Sequence, residues 1–140
     1  MYKSILAAID LEHGEHTQQI LALAKRLADT FEAEVCLINV VPAGPAIVSQ
    51  FLDESFEGLA SGEAQAKLTE LAADLASANV KSSSLVRFGT VYEEILAAAE
   101  KVGADLIIVG SQKPGATAYL LGTNAARVVR HATCSVIVVR

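Results

Sequence analysis

Short blocks of consecutive apolar residues alternate along this chain with longer stretches in which apolar positions return every three or four residues. Ser4-Ile5-Leu6-Ala7-Ala8-Ile9 is the first block, ended by Asp10, and an uninterrupted run of that length is how a strand buried on both faces reads. Ile20, Ala24, Leu27 and Phe31 then fall at helical spacing, which predicts an amphipathic helix. Val35 to Val41 predicts a second buried strand, stopped by Pro42. From Pro42 to about Gly58 no period is visible, and a long loop with a helical turn near Phe51 and Leu52 is expected. A second long helix follows, with Ala64, Leu68, Leu71, Leu75 and Ala78 on one stripe and Asn79 as its stop.

In the second half, Ser84, Val86 and Phe88 alternate with Leu85 and Arg87, so the third strand has a wetter face and suits a sheet edge. Thr90-Val91-Tyr92-Glu93 spells a capping box, in which the Thr90 hydroxyl and the Glu93 carboxylate would satisfy backbone N–H groups. The helix it opens carries Ile95, Ala99 and Val102 and stops at Gly103. Asp105 to Val109 predicts the fourth strand, ending at Gly110. Gly122-Thr123-Asn124 opens a last helix whose buried face is expected to be Ala125, Val128, Val129 and Ala132, and Ser135 to Val139 is the fifth strand.

Strands that alternate with helices form βαβ units, and right-handed crossovers turn these into a parallel sheet with helices on both faces. The expected fold is therefore α/β: one five-stranded parallel sheet, flavodoxin-like or a close relative, in a single domain spanning 1–140. With the first strand central, the order is 3-2-1-4-5. Ligands of such sheets sit outside the carboxyl ends of the strands where strand order reverses. That point falls between strands 1 and 4, which end at Asp10 and Gly110.

Composition narrows the classes. At 140 residues, with 52% hydrophobic and 19% charged, the chain can bury a core and is not disordered. No apolar run approaches the ~20 residues of a membrane-spanning helix, so no membrane insertion is expected. The sequence enters a strand-like run directly, without a signal-peptide pattern, and a cytoplasmic location is expected. A net charge of −5 argues against a nucleic-acid partner, because phosphate-backbone binding needs a basic surface. It does not exclude one nucleotide held by backbone N–H groups. Cys36 and Cys134 lie within or beside strand runs and form no CxxC, as reduced core thiols do.

Candidate chemistry gathers at Val109-Gly110-Ser111-Gln112-Lys113-Pro114-Gly115 and at Leu121-Gly122-Thr123-Asn124. Glycine lets a backbone approach a ligand closely, and a helix N-terminus offers N–H groups and a dipole that favours anions. These glycines can cradle phosphates, or they can serve turns alone. Gly110, Gly115 and Thr117 match P-loop spacing, but Ala116 stands where the phosphate-neutralising lysine is required, so this is not a P-loop. Asp10 ends strand 1, where it can contact a ligand or cap the next helix. His13 and His16 share a helical face without further ligands nearby, too few for a metal site. No nucleophile–base–acid set and no G-x-S-x-G elbow is present, and no catalytic residue is assigned.

The stretch from Gly110 to Gly122-Thr123 resembles the nucleotide signature of the universal stress protein family (UspA-like), G-x2-G-x9-G-[S/T]. The segment from Tyr119 through Gly122-Thr123-Asn124 to Arg130-His131-Ala132, its continuation through Cys134 to Arg140, and the opening Ile5 to Asp10 are also similar to that family. The resemblance implies an adenine nucleotide alpha hydrolase-like sheet, a homodimer or dimer of dimers through strand 135–140, and, in one large branch, binding of ATP or AMP. Any magnesium would be bound through the phosphates. By the same resemblance Asp10 and the backbone near Ala8 flank the adenosine, and Val40 and Val109 line the base pocket. Gly110 and Gln112 contact ribose and phosphate, while Gly122, Thr123 and Asn124 hold the phosphates. Two departures stand out: Lys113 replaces the second glycine, and the interval to Gly122 is one residue short. Lys113, followed by Pro114 as in a sub-branch of the family, either supplies charge to a phosphate or fills the pocket.

Two functions follow as expectations. One is a nucleotide-binding regulatory stress-response protein with slow hydrolysis at most, since beyond Asp10 no acid is placed for phosphoryl transfer. The other is a dimeric adaptor of the same family whose site has closed. A phosphorylated receiver domain is rejected, because Phe88-Gly89 and Arg140 stand where it needs an aspartate and a lysine.

Overall fold

The computed structural model describes residues 1–11, 14–42, 54–111 and 122–140, with the side chains of 54–61 left aside. In chain order the elements are β1 (Ser4–Ala8), α1 (Gly14–Phe31), β2 (Glu34–Pro42), α2 (Glu54–Ser77), β3 (Ser82–Gly89), α3 (Val91–Val102), β4 (Leu106–Gly110), α4 (Thr123–His131) and β5 (Ser135–Val139). The five strands form one sheet in the order β3-β2-β1-β4-β5, and each neighbouring pair is parallel. This is the expected order, with β1 central and β3 and β5 at the edges.

Alternate residues of each strand face opposite sides, and each side carries its own core. Ile5, Ala7 and Ile9 of the first strand pack with Ile20, Leu21 and Ala24 of α1 and Leu68 and Leu75 of α2. Leu6 packs on the other side with Ile95 and Ala99 of α3 and Ala125 and Val128 of α4. The helices after β1 and β2 therefore cover one face and those after β3 and β4 the other. Among the described residues, large side chains such as Ile5, Leu6, Leu106 and Ile107 are almost fully enclosed.

Three helices end alike. Glu32, Asn79 and Gly103 adopt left-handed backbone with φ of 55°, 65° and 67°. In each case the following amide reaches back five residues: Ala33 to the Ala28 carbonyl (3.0 Å), Val80 to Leu75 (3.1 Å) and Ala104 to Ala99 (2.8 Å). This 6→1 bond satisfies a carbonyl that the helix end would otherwise orphan. The stops expected at Asn79 and Gly103 are thus explained; the one at Glu32 carries no sequence mark.

The structure corrects three expectations. Thr90 does stand at the N-cap of α3, but its side chain makes no capping bond, so the box is formed in sequence only. Val129 is 46% exposed, because a nine-residue helix lying on the sheet buries only Ala125 and Val128 fully. The helix expected after Gly58 already begins at Glu54. The proposed turn near Phe51 and Leu52 lies outside the described residues. Both cysteines are free, and burial raises the Cys36 and Cys134 thiols above their ordinary range. No helix among the described residues is long and apolar enough to cross a membrane.

Candidate functional site

β1 and β4 are adjacent and parallel, yet the chain leaves β1 toward one face and β4 toward the other. A crevice must open where the two paths part. A cleft of about 900 Å³ occupies that place, within the range of small-molecule sites.

Its floor is the carboxyl ends of the inner strands: Ala8, Ile9 and Asp10 after β1, Ile38 to Pro42 of β2, and Val109, Gly110 and Ser111 after β4. One wall is α3, through Val91 and Ile95; another is the start of α4, through Gly122, Thr123, Asn124 and Ala125. The opposite wall is α2, through Glu63, Ala64 and Lys67, with Leu11 and His16 beside it. Eight expected residues (Ala8, Asp10, Val40, Val109, Gly110, Gly122, Thr123 and Asn124) converge on this one cleft. Gln112 and Lys113, and also His13, lie outside the described residues.

The polar fittings can be traced to their supports. Ile9 donates its amide to the Ile38 carbonyl at 2.8 Å, extending the β1–β2 ladder by one residue to the cleft floor. The buried Asn39 then donates from Nδ2 to the Ile9 carbonyl at 2.9 Å, which fixes the corner where Asp10 emerges. Thr17, buried in the first turns of α1, donates its hydroxyl to the Asp10 carbonyl. The Asp10 backbone thus receives a cap-like bond from inside the helix. Gly122 is buried and serves as N-cap of α4 with φ −57° and ψ 154°, and its carbonyl accepts from the Ala126 amide at 2.9 Å. The amides of the first turn of α4 have no partner within the helix by construction, and the residues that carry them, Gly122 to Ala125, line the cleft.

Sequence reasoning missed four of the polar side chains lining the cleft. Asn39 had a visible signal: a lone amide inside the apolar run Val35 to Val41. Glu63 and Lys67, four apart on the helix and flanking the buried Ala64, read as an ordinary solvated face. His16 was weighed only as a metal ligand. Among the described residues no group of three or more His, Cys, Asp or Glu side chains could hold a metal ion.

This sheet order with a cleft at the β1/β4 switch point defines a class of parallel α/β domains, and sequence comparison identifies the family. The universal stress protein family model matches residues 1–140, and the chain belongs to that family. Universal stress protein G of Shigella flexneri is 32% identical over 143 residues, covering 100% of both chains. Among solved structures, the hypothetical protein MJ0577 superimposes with a TM-score of 0.85 at 27% identity, over 99% of this chain and 96% of that one. The universal stress protein of Archaeoglobus fulgidus in complex with dAMP shares the fold, with a TM-score of 0.72 at 18% identity over 99% and 98%.

Proposed function

We propose that the cleft binds an adenine nucleotide, ATP or AMP, and that the protein acts in stress response through occupancy of this site rather than by turnover. The observation that carries this reading is the opening of the α4 N-terminus onto the same cleft that holds Asp10 and the apolar walls. An adenine ring fits between Val40, Val109, Val91 and Ile95. Asp10, at the end of β1, is suited to accept from ribose hydroxyls. The phosphates belong at Gly122, Thr123 and Asn124, where first-turn amides donate and the dipole contributes about 0.3–1 kcal/mol. Each charge-assisted bond to a phosphate oxygen adds about 1.5–3 kcal/mol. A few such bonds with base burial account for micromolar affinity, about −8 kcal/mol. Magnesium would enter through the phosphates. The dAMP complex of the Archaeoglobus protein supports the same ligand class.

The reading extends to assembly. β5 is an edge strand whose Val136, Ile137, Val138 and Val139 are only half-buried, and an apolar edge with unpaired backbone groups is normally covered. A second copy paired antiparallel about a two-fold axis would cover it, giving a homodimer or a dimer of dimers.

Calorimetric titration with ATP, ADP and GTP tests the site, together with mass spectrometry of the purified protein under native and denaturing conditions. Micromolar heat for ATP or a co-purifying adenine nucleotide is expected. No heat and no thermal shift at millimolar ATP would overturn the reading in favour of the dimeric adaptor.

A further inference from the structure

Gly110, expected to touch a ligand, has a second duty on its other side. A Cβ added to it would stand 2.7 Å from Cε1 and 2.9 Å from Nε2 of His16. The imidazole therefore lies against the bare Gly110 backbone, and only glycine permits that approach. From there Nε2 reaches the Val139 carbonyl of the edge strand at 3.1 Å. A carbonyl only accepts, so Nε2 must carry the proton. The same carbonyl takes the Ser111 amide at 2.8 Å, filling both of its lone pairs. His16 also lines the cleft. One half-buried side chain thus joins the first turn of α1, the Gly110–Ser111 corner and the carboxyl end of β5.

We propose that His16 is a positioning residue that couples the cleft to the edge strand: a ligand seated at Gly110 and the order of β5 are linked through the His16–Val139 bond. The coupling rests on the nucleotide reading for its ligand, but the link itself is a property of the free protein. By linkage, whatever tightens β5 must favour the ligand by the same factor.

The test is residue-resolved amide hydrogen exchange, with and without millimolar ATP. In the free protein, His16→Ala is expected to speed exchange at Ser111 and across 136–139 by roughly 2- to 12-fold, the worth of one hydrogen bond. Gly110→Ala is expected to give the same pattern by expelling the ring, and the double variant should be no worse than either single one. With ATP, the wild-type chain should gain protection at both Ser111 and 136–139. His16→Ala should keep the gain at Ser111 and lose it at 136–139, and His16→Gln, which retains an Nε2–H donor, should recover part of it. Unchanged exchange in free His16→Ala, or equal ATP protection of 136–139 with and without the imidazole, would overturn the coupling. Failure of the wild-type chain to bind ATP would refute the nucleotide reading alone, and the free-protein comparison then decides the link by itself.

Discussion

Replacing Gly122 by valine separates the fold from the site. At φ −57° and ψ 154° the Gly122 backbone lies in a region open to every L-residue, so valine adds no backbone strain. The Ala126 amide still finds the residue-122 carbonyl. What is lost locally is the N-cap preference for glycine over a β-branched residue, about 1 kcal/mol, which a domain stable by about 5–15 kcal/mol tolerates. The ligand fares differently. Gly122 is buried and lines the cleft, so on the proposed reading an isopropyl group there would compete with a phosphate for the first amides of α4. Losing two charge-assisted bonds costs about 3–6 kcal/mol, or a factor of roughly 10²–10⁴ in affinity.

The assay is thermal and calorimetric. For a wild-type dissociation constant near 10 μM, 1 mM ATP is about a hundredfold excess and adds about 2.7 kcal/mol. That raises Tm by about 5–10 °C for a domain of this size. Gly122→Val should show almost none of that shift while retaining native circular dichroism. Adenosine, which lacks the phosphates, should bind both proteins alike. A variant with native dichroism and unchanged ATP affinity would refute the reasoning, leaving Gly122 a turn residue.

Lys113→Ala should weaken ATP more than adenosine in parallel titrations, because an ammonium favours phosphate charge and ignores the base; improved binding would mean that Lys113 obstructs the cleft. Ile137→Lys or Val138→Lys should lower self-association in sedimentation velocity more than ATP affinity, and a wild-type monomer at micromolar concentration would remove the case for pairing through β5. Glu32→Gly should raise stability in urea by about 1 kcal/mol, since a left-handed residue with a Cβ carries a cost of about 1–2 kcal/mol that glycine avoids. Burial holds the Cys36 thiol above its ordinary range, so its protonated form favours the folded state. That contribution is complete below the unfolded thiol value of about 8.5 and is lost as pH rises from there through the folded value. The urea midpoint of the wild-type chain should therefore fall more between pH 8 and 10 than that of Cys36→Ala, and equal falls would contradict the assignment.

The fold was legible because each strand buried on both faces writes an unbroken apolar run, and each helix writes its own stripe. The alternation of Ser84, Val86 and Phe88 with Leu85 and Arg87 suited a sheet edge, and β3 lies at one. Local sequence was weaker where the outcome depends on what lies across the fold. Thr90 and Glu93 have the right spacing for a capping box, yet Tyr92 takes the Glu93 carboxylate through its hydroxyl at 3.2 Å. Val129 belongs to the helical stripe by spacing, but the shallow seat of α4 leaves it outside. The His16–Val139 contact joins residues 123 apart in sequence, and no local pattern encodes it. The glycine opposite the imidazole was visible, but it read as a ligand contact because a missing side chain does not say which neighbour requires the space.

The cleft itself was written in side-chain size. β1 runs Ser4-Ile5-Leu6-Ala7-Ala8, and β4 runs Leu106-Ile107-Ile108-Val109-Gly110. The two register as Ile5 with Leu106, Leu6 with Ile107 and Ala7 with Ile108, so the volume carried by the pair shrinks toward the carboxyl end. At the amino end the large residues meet helices on both faces and leave no exposure. At the other end α1 and α4 diverge to opposite faces, and Ala8 and Gly110 put almost nothing into the gap. Topology alone opens a crevice at a switch point, but large side chains there could close it again. A single change such as Ala8→Leu would do so from the floor, far from the α4 amides, and should reduce adenosine and ATP binding together. Gly122→Val acts only at the phosphate end. The two changes distinguish a site that holds a whole nucleotide from one that merely binds an anion.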